Sequence, residues 1–445
     1  MKKAPSLILA SAFLLGSMAT LTACEKPDYV LKVCNWAEYI DEGGKDGYDY
    51  EMTGERAAPI YKRFTEWYKE QTGLNVKVEY STFETNEELY NKMTLGDTYD
   101  LVCPSDYMIM KMAAEGMLET YDSSFYDESV ESNYYAKNLS SYIDSVFSAK
   151  EIGSKKLSDY AAGYMWGTTG LIYNPEIVSE ADLSTWAVLS NPKYKNKVTS
   201  KDNIRDSYFA ALAIHYEDEL KKLAADYQSG ALTYAQYNVK ITELMNDTSD
   251  KTIAAAEKIL MNIKDNIYSF ETDNGKEDFM TGKVTVNFCW SGDGIYVIDQ
   301  LEEEDVFVNY CIPDTASNLW FDGWVMPKGA NKEISQAFVN FLSMPENAIR
   351  NTYYIGYSSV LAGDEMFDYM TDTYGVDEGD EVELEYDVSY FFGEGLVIGT
   401  YADQAKRQLF AQYPTEETLA RLAIMDYYEP EANNKLNNMW TNIKG

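Results

Sequence analysis

The sequence predicts an α/β protein with more than one lobe. Strand-like and helix-like segments alternate over its first 115 residues, and a second strand-like region, rich in glycine and aromatic residues, begins near residue 164. With 445 residues, of which 45% are hydrophobic, the chain is long enough for about two or three domains with full cores. We therefore expect a folded, multi-lobed body.

The first strand is predicted over residues 29–34, where apolar positions alternate with polar ones. An amphipathic helix follows, between Pro59 at its start and Gly73 past its end. Further strands are predicted over residues 74–80 and 99–103. Because strand and helix alternate, right-handed crossovers should pair these strands in parallel.

The second helix is predicted to open at Thr85, which forms a capping-box pattern with Glu88, and a third should run as far as Glu115. Ligands of parallel sheets bind beyond the carboxyl ends of the strands. The side chains expected there are Trp36, Glu38, Tyr39, Ser105, Asp106 and Tyr107.

The second half of the chain is predicted to be more helical. Residues 164–174 have the pattern of a strand that crosses between lobes. We predict a helix over residues 207–217 and then a pair of helices between residues 217 and 264. The acidic run at residues 377–381 is predicted to be a solvated loop inside an insertion.

Two tryptophan–aspartate pairs suggest a site for an organic cation: Trp290 with Asp293, and Trp320 with Asp322. An indole face attracts an ammonium by about 0.5 to 2 kcal/mol, and a carboxylate adds a charge-assisted hydrogen bond. The alternative is that each tryptophan packs in a core or rim and each aspartate, beside glycine, forms a turn. Taken alone, each pair favours this second interpretation.

Several catalytic classes lack their residues. The chain has one histidine, His215, in a helical stretch, so histidine-based catalysis and histidine metal sites have no supporting motif. No phosphate-binding or dinucleotide-binding glycine motif is present. We expect no metal and no cofactor, although a hydrolase that uses two of the 73 acidic residues stays open.

The amino terminus has the pattern of a secretion signal: basic residues and then an apolar run from residue 7 to residue 21. The run ends in Leu-Thr-Ala-Cys, which resembles a bacterial lipobox with Cys24 as the lipid-bearing residue. The alternative is an ordinary cysteine after a conventional signal. We expect a lipoprotein on the outer face of the cytoplasmic membrane, or in the periplasm of a Gram-negative cell, and no membrane span.

The net charge of −36 makes nucleic acid and anionic lipid surfaces poor partners, whereas small cations would be attracted. Acidity also serves solubility, so this support is weak. Four cysteines follow Cys24, and an exported chain allows disulfides between them. We expect buried free thiols, because Cys34, Cys103 and Cys289 end apolar strand-like runs.

Several segments resemble the spermidine/putrescine-binding proteins of bacterial polyamine ABC transporters. The resemblance extends from about residue 30 to residue 360, with the motifs in order. They are Asn-Trp-Ala-Glu-Tyr at 35–39, Tyr-Ser-Thr-Phe-Glu-Thr at 80–85, Cys-Pro-Ser-Asp-Tyr at 103–107, Met-Trp-Gly-Thr-Thr-Gly at 165–170, Asp-Asn-Ile-Arg-Asp at 202–206, Trp-Ser-Gly-Asp at 290–293, Trp-Phe-Asp at 320–322 and Ile-Gly-Tyr at 355–357.

The resemblance implies a two-lobed periplasmic-binding-protein-like fold of type II, with the ligand in the cleft between lobes. We divide the chain into a signal peptide (1–23), a lipid-anchored linker (24–28), a discontinuous first lobe (29–163 and 324–445) and a second lobe (164–323).

The resemblance also assigns ligand-binding residues. Aromatic walls are expected from Trp36, Tyr39, Tyr107, Trp290, Trp320 and Tyr357. Asp293 and Asp322 are expected to bind one terminal ammonium, and Asp206, with Glu38 less directly, the other end, while Ser105 supplies a neutral hydrogen bond. For Asp206 the alternative is an acid that stabilises a helix start.

The chain departs from the family pattern at Ala37, Asn203 and Asp106, so the preferred polyamine stays open; Asp293 favours putrescine slightly. The implied function is that of a monomeric solute-binding protein, not an enzyme. It would deliver a polyamine to an ABC permease driven by a cytoplasmic ATPase. The alternatives are a binder of another organic cation or amino acid, and a surface hydrolase with paired carboxylates.

Overall fold

The computed structural model describes residues 26–44 and 58–445, so Cys24 and the predicted signal peptide lie outside it. The strands, in chain order, are β1 (Tyr29–Trp36), β2 (Val76–Phe83), β3 (Leu101–Val102), β4 (Glu151–Ile152), β5 (Lys155–Lys156), β6 (Ala161–Tyr173), β7 (Thr199–Lys201), β8 (Ser269–Glu271), β9 (Val286–Trp290), β10 (Asn309–Cys311), β11 (Ser317–Val325), β12 (Ser358–Ser359), β13 (Leu384–Asp387), β14 (Val397–Thr400) and β15 (Leu422–Ala423).

The helices are α1 (Ile60–Thr72), α2 (Asn86–Thr94), α3 (Asp106–Ala114), α4 (Tyr134–Asn138), α5 (Ser141–Ala149), α6 (Leu157–Tyr160), α7 (Glu180–Leu183), α8 (Ile204–His215), α9 (Glu217–Gln228), α10 (Tyr234–Met245), α11 (Asp250–Asn266), α12 (Asn274–Met280), α13 (Ser291–Glu302), α14 (Lys332–Leu342), α15 (Pro345–Ile355), α16 (Asp364–Tyr374), α17 (Ser389–Phe392), α18 (Gln408–Gln412), α19 (Glu416–Ala420) and α20 (Pro430–Lys444). Short 3₁₀ turns lie at Ser123–Tyr126, Trp186–Ser190, Pro192–Tyr194 and Ala402–Lys406.

The first α/β unit is confirmed. β1 pairs in parallel with β2 on one side and with β3 on the other. Helix α1 ends at Gly73 with a φ of 77°, a conformation that glycine adopts without strain. Helix α2 begins after Thr85, whose side chain accepts a hydrogen bond from the backbone N–H of Glu88. Gly73 therefore ends α1 and Thr85 caps the start of α2, as the sequence predicts.

Two long antiparallel strands, β6 and β11, run through the centre of the large sheet. β6 is buried at all 13 positions. Its first part pairs with β11 and β12, and its second part, from Thr169, pairs with β9 and β10. The register between β11 and β6 shifts between Asp322 and Gly323, which is a β-bulge. The strand predicted to cross between lobes corresponds to β6, and it pairs with a second long strand, β11.

Two hydrophobic clusters form the interior. One contains the first α/β unit, and the other is built around α8, α11 and β9. Helix α20 contributes Leu436, Met439 and Ile443 to the second cluster, where it packs on α11. The predicted boundaries put these residues in the first lobe, and this division of the chain stays a prediction.

The predicted pair of helices between residues 217 and 264 is wrong, because three helices, α9, α10 and α11, occupy this stretch. Two helix starts were overlooked. Thr233 forms a capping box with Gln236, and the Ser249 side chain accepts a hydrogen bond from the N–H of Thr252. Gly230, with a φ of 77°, closes the turn between α9 and α10.

The acidic run at residues 377–381 lies exposed between α16 and the β13–β14 hairpin, as predicted. Cys34, Cys103, Cys289 and Cys311 are free thiols, and the first three are buried. Within the part of the chain that the structure describes, no helix is long and apolar enough to cross a membrane, and no group of acidic, histidine or cysteine side chains is suited to hold a metal ion.

Candidate functional site

The carboxyl end of β1 turns sharply to bring Tyr39 beneath the sheet edge. Glu38 has a φ of 53°, and the Asn35 side chain donates a hydrogen bond of 2.8 Å to the Tyr39 carbonyl. Glu38 itself is exposed. Trp36 packs on Phe83, with 4.5 Å between ring centroids, and its indole N–H has no hydrogen-bond partner among the described residues. The turn therefore presents Tyr39 and the indole of Trp36 together.

Asp322 lies on β11 beside the β-bulge, at which Tyr164 of β6 has no paired residue, and it is only 6% exposed. Its Oδ2 accepts a hydrogen bond of 2.8 Å from the Tyr39 hydroxyl, while Oδ1 has no partner within the described chain. Burial raises the pKa of Asp322 to about 6, although hydrogen bonding from Ser105 and Tyr39 acts to lower it. A buried carboxylate with a free oxygen is well suited to accept a cation.

Aromatic rings surround this carboxylate. Tyr357 contacts Tyr39 edge-on at 5.9 Å and Trp320 at 5.2 Å between centroids. Glycines make room for the rings: a Cβ on Gly292 would lie 2.5 Å from the Tyr357 ring, and one on Gly167 would lie 2.5 Å from the Trp320 ring. We refer to Tyr39, Ser105, Trp320, Asp322 and Tyr357 together as the Asp322 pocket.

Asp106 serves the backbone and not this pocket. It is 1% exposed, and it accepts hydrogen bonds from the N–H groups of Tyr107 and Phe321 at 2.6 and 3.1 Å. Burial raises its pKa to about 7. Oδ2 therefore joins α3 to β11 and Oδ1 binds the first turn of α3, so both oxygens have backbone partners. The expected place of Asp106 beside the ligand stays a prediction.

Tyr107 also has a different environment from the one expected. The Arg205 guanidinium lies over its ring at 4.4 Å and over the Tyr428 ring at 3.9 Å. The Tyr107 hydroxyl contacts Asn86 and Glu87. The guanidinium of Arg205 therefore occupies one face of this ring, which no pattern in the sequence indicates.

Asp206 lies in the first turn of α8, behind the helix cap Asn203. It is 6% exposed, and burial raises its pKa to about 6, against the lowering effects of Lys201 and of the Trp290 indole. Asp206 therefore lies at a helix start, as the alternative interpretation predicts. It also lies next to Trp290, one of the aromatic residues expected to contact the ligand.

A small cavity of about 10 Å³ lies beside Asp206, and its lining includes Thr169, Ser317 and Asn318. The Thr169 hydroxyl and the Asn318 side-chain oxygen are buried and have no hydrogen-bond partner within the described chain. Sequence reasoning missed both residues, since neither forms a charged or aromatic motif. Together with Asp206 they provide hydrogen-bond acceptors at this end of the site.

Asp293, in the first turn of α13, contacts two lysines. Lys276 Nζ lies 3.0 Å from Oδ1, and Lys201 Nζ lies 3.5 Å from Oδ2. Lys201 is almost fully buried, and its ammonium lies 3.9 Å from the centre of the Trp290 ring. The contacts with Asp293 and the Trp290 ring that were predicted for a ligand ammonium are therefore made here by the ammonium of Lys201.

Part of the predicted set lies close together: Tyr39, Trp320, Asp322 and Tyr357, and then Trp290, Asp293 and Asp206. Tyr357 contacts the Asp322 pocket and packs against Gly292, next to Asp293. Burial and then the charges of Asp293 and Asp322 are among the causes that raise its pKa well above 10. Trp290 joins Asp293 to Asp206. The sequence therefore identified a real cluster of acids and aromatic rings, while missing the lysines within it.

The sequence of the chain matches a known protein family. The family model for bacterial extracellular solute-binding proteins matches residues 62–363, more than half of the chain. The chain belongs to this family. As an extracellular solute-binding protein it is not an enzyme, and the hydrolase alternative is wrong.

Among similar proteins, the spermidine/putrescine-binding periplasmic protein of Salmonella typhimurium is 29% identical over 360 residues, which cover 80% of this chain and 84% of the relative. The putrescine-binding periplasmic protein SpuD of Pseudomonas aeruginosa is 28% identical over 349 residues, with 76% and 80% covered. The solute-binding protein thus aligns with these relatives along most of their length.

Solved structures share the fold. The spermidine/putrescine ABC transporter substrate-binding protein PotD of Streptococcus pneumoniae superposes with a TM-score of 0.59 at 24% identity, covering 94% of this chain and 98% of that one. The Tp0655 (TpPotD) lipoprotein of Treponema pallidum has a TM-score of 0.62 at 19% identity, with 93% and 99% covered. The predicted two-lobed periplasmic-binding-protein fold is confirmed.

Proposed function

We propose that this solute-binding protein captures a polyamine, putrescine or spermidine, and delivers it to the permease of an ABC importer. Support comes from the relatives described above, whose names specify spermidine or putrescine. The observation that carries the proposal is the Asp322 pocket. There a buried carboxylate has one oxygen without a partner, and the rings of Tyr39, Trp320 and Tyr357 lie around it.

The chemistry of this pocket suits a primary ammonium on an alkyl chain. The ammonium would bind Asp322 through a charge-assisted hydrogen bond, and the methylene chain would pack on the aromatic rings. A charged hydrogen bond contributes about 1.5 to 3 kcal/mol, and each cation–π contact about 0.5 to 2 kcal/mol. Micromolar affinity corresponds to about 8 kcal/mol. Two such ends can supply a gross interaction energy of this size before the cost of ordering the flexible ligand is subtracted.

A thermal-shift panel tests the proposal. Putrescine, spermidine, spermine, cadaverine, arginine and lysine are added at millimolar concentration to the purified mature protein. At least one polyamine should raise the melting temperature, because a ligand that binds only the native state stabilises it. Potassium chloride at matched ionic strength controls for salt. The proposal fails if no polyamine raises the melting temperature, and a response to the amino acids alone would favour the amino-acid alternative.

We further propose that ligand binding closes the lobes and that the closed, monomeric form docks on the permease. A ligand favours closure only by contacting both sides. Asp322 is on a crossing strand, whereas Asp206 is on α8, in the second hydrophobic cluster's half of the molecule. Small-angle scattering should show a smaller radius of gyration with the stabilising polyamine than without it. An unchanged radius would exclude this closure.

We also propose that a lipid on Cys24 anchors the protein outside the cytoplasmic membrane. The support is the apolar leader and the Leu-Thr-Ala-Cys sequence. In bacterial cells, wild-type protein should fractionate with membranes, while Cys24→Ala should lose this association. Lys26→Ala, two residues away, serves as the control and should remain with membranes. Equal membrane association of the wild type and Cys24→Ala would exclude the anchor.

A further inference from the structure

The ammonium of Lys201 lies in an environment that resembles a binding site for a ligand ammonium. Nζ lies 3.9 Å from the centre of the Trp290 ring, 3.5 Å from Asp293 and 3.9 Å from Glu271. It also donates a hydrogen bond of 2.9 Å to the Thr272 carbonyl. We refer to Lys201, Glu271, Thr272, Trp290 and Asp293 as the Lys201 corner.

The two carboxylates of this corner have partners besides Lys201, although Asp293 Oδ2 has no hydrogen-bond partner within the described chain and faces Lys201 at 3.5 Å. Glu271 accepts hydrogen bonds from the Gly275 N–H at 2.9 Å and from the Asn287 side chain at 3.0 Å. Asp293 forms a shorter ion pair with Lys276, at 3.0 Å. Burial of an ammonium is costly, so a buried lysine beside already partnered acids calls for a role beyond stability.

Other acids of the site remain available. Within the described chain, no lysine or arginine lies at salt-bridge distance from Asp206 or Asp322, and Asp322 Oδ1 has no hydrogen-bond partner. The buried oxygens of Thr169 and Asn318 lie beside the Asp206 cavity. Asp322 Oδ1 is therefore available to an ammonium, and Asp206, on which the Trp290 indole and the charge of Lys201 act, has no ion pair of its own in the described chain. A third ammonium position is filled by Lys201.

We propose that Lys201 is a specificity-determining residue that occupies a third ammonium position and limits the cleft to diamines. A diamine places one ammonium at Asp322 and the other at Asp206. A triamine brings one further positive charge, which meets Lys201 at the Trp290 face in place of a free carboxylate. This inference rests on the proposed function, because it assigns the class of polyamine to the same cleft.

Calorimetric titration with putrescine and spermidine tests this assignment. Wild-type protein should bind putrescine at least about tenfold more tightly than spermidine, the scale of one charged hydrogen bond. Lys201→Met should shift the ratio of affinities toward spermidine by at least about tenfold, because Asp293 and the Trp290 face become available. In Lys201→Met/Asp293→Asn the shift should be lost, since the freed carboxylate is gone.

Lys197→Met is the matched control. Lys197 is exposed, four residues away, and its ammonium contacts the Gly282 and Lys283 carbonyls outside the site, so this variant removes the same charge and should keep the wild-type ratio. If Lys201→Met does not fold, the wild-type titration decides. Spermidine binding as tight as putrescine binding, or an unchanged ratio in Lys201→Met, overturns the inference while leaving polyamine capture intact. Absence of binding by either compound overturns the proposed function itself.

Discussion

Replacing Asp322 with asparagine is expected to weaken polyamine binding by about ten- to a hundredfold. The substitution keeps the shape of the side chain and removes its charge, so an ammonium at Oδ1 loses a charge-assisted hydrogen bond worth about 1.5 to 3 kcal/mol. The effect should be close to the upper end because the group is only 6% exposed, and water cannot replace the lost charge. Calorimetric titration with the ligand identified by the thermal-shift panel measures the change.

Asp100→Asn provides a matched control. Asp100 is also buried, and its Oδ1 accepts a hydrogen bond of 2.7 Å from a tyrosine hydroxyl, that of Tyr29, just as Asp322 accepts one of 2.8 Å from Tyr39. It binds the N–H groups of Lys32 and Asn331 and lies outside the Asp322 pocket. Asp100→Asn should lower stability without changing affinity. Unaltered affinity in Asp322→Asn would remove this carboxylate from the binding site.

Polyamine affinity is expected to fall by about a hundredfold between about pH 7.5 and pH 5. Burial raises the pKa of both Asp206 and Asp322 to about 6 in the free protein. A cationic ligand binds the deprotonated acids, so each group loses about tenfold in affinity one unit below its pKa. The two effects multiply when both acids contact the ligand. Above about pH 7 both are ionised, and the affinity should reach a plateau.

Burial is the largest cause of both raised pKa values, and the groups that face the acids modify it. Lys201 and Arg205 act on Asp206 to lower its pKa, Glu87 acts to raise it, and Ser105 and Tyr39 hydrogen bonding lowers that of Asp322. Titrations across this pH range, in two buffers of different ionisation enthalpy, report both affinity and proton release. Asp322→Asn should retain only about a tenfold pH effect, since one acid remains. A profile that is flat from pH 7.5 to pH 5 would contradict the raised pKa values.

Much of the fold and part of the site could be predicted from the sequence because their signals are local. The order of strand and helix determines parallel pairing of β1, β2 and β3, and Thr85 and Gly73 mark helix ends through their own hydrogen bonds and backbone conformation. Acids and aromatic residues at strand ends meet because those ends share one sheet edge. Tyr39, which follows the end of β1, is placed in this way, whereas its partner Asp322, 283 positions away, lies inside β11.

The lysines of the site could not be predicted in this way. Lys201 ends β7, which pairs with β8, and its long side chain reaches Asp293 only because α13 and β9 are packed beside that pair. This placement depends on tertiary packing and leaves no pattern along the chain. The position of Asp106 depends likewise on the approach of Phe321, and that of α20 on the surface offered by α11.

The β-bulge beside Asp322 affects how the central strands β6 and β11 can bend. β6 contributes residues to both hydrophobic clusters and pairs with β11 in its first part and with β9 in its second, so a change in the angle between the halves must bend or twist it. A bulge is the point of a ladder where bending is easiest, because one residue is left out of the pairing. The carboxylate expected to bind the ligand, that of Asp322, therefore lies beside the point where the strands bend most easily. An ammonium bound to Asp322 would restrict bending at the bulge. Ligand binding would therefore act directly on the angle between the two halves, with no chain of intervening residues.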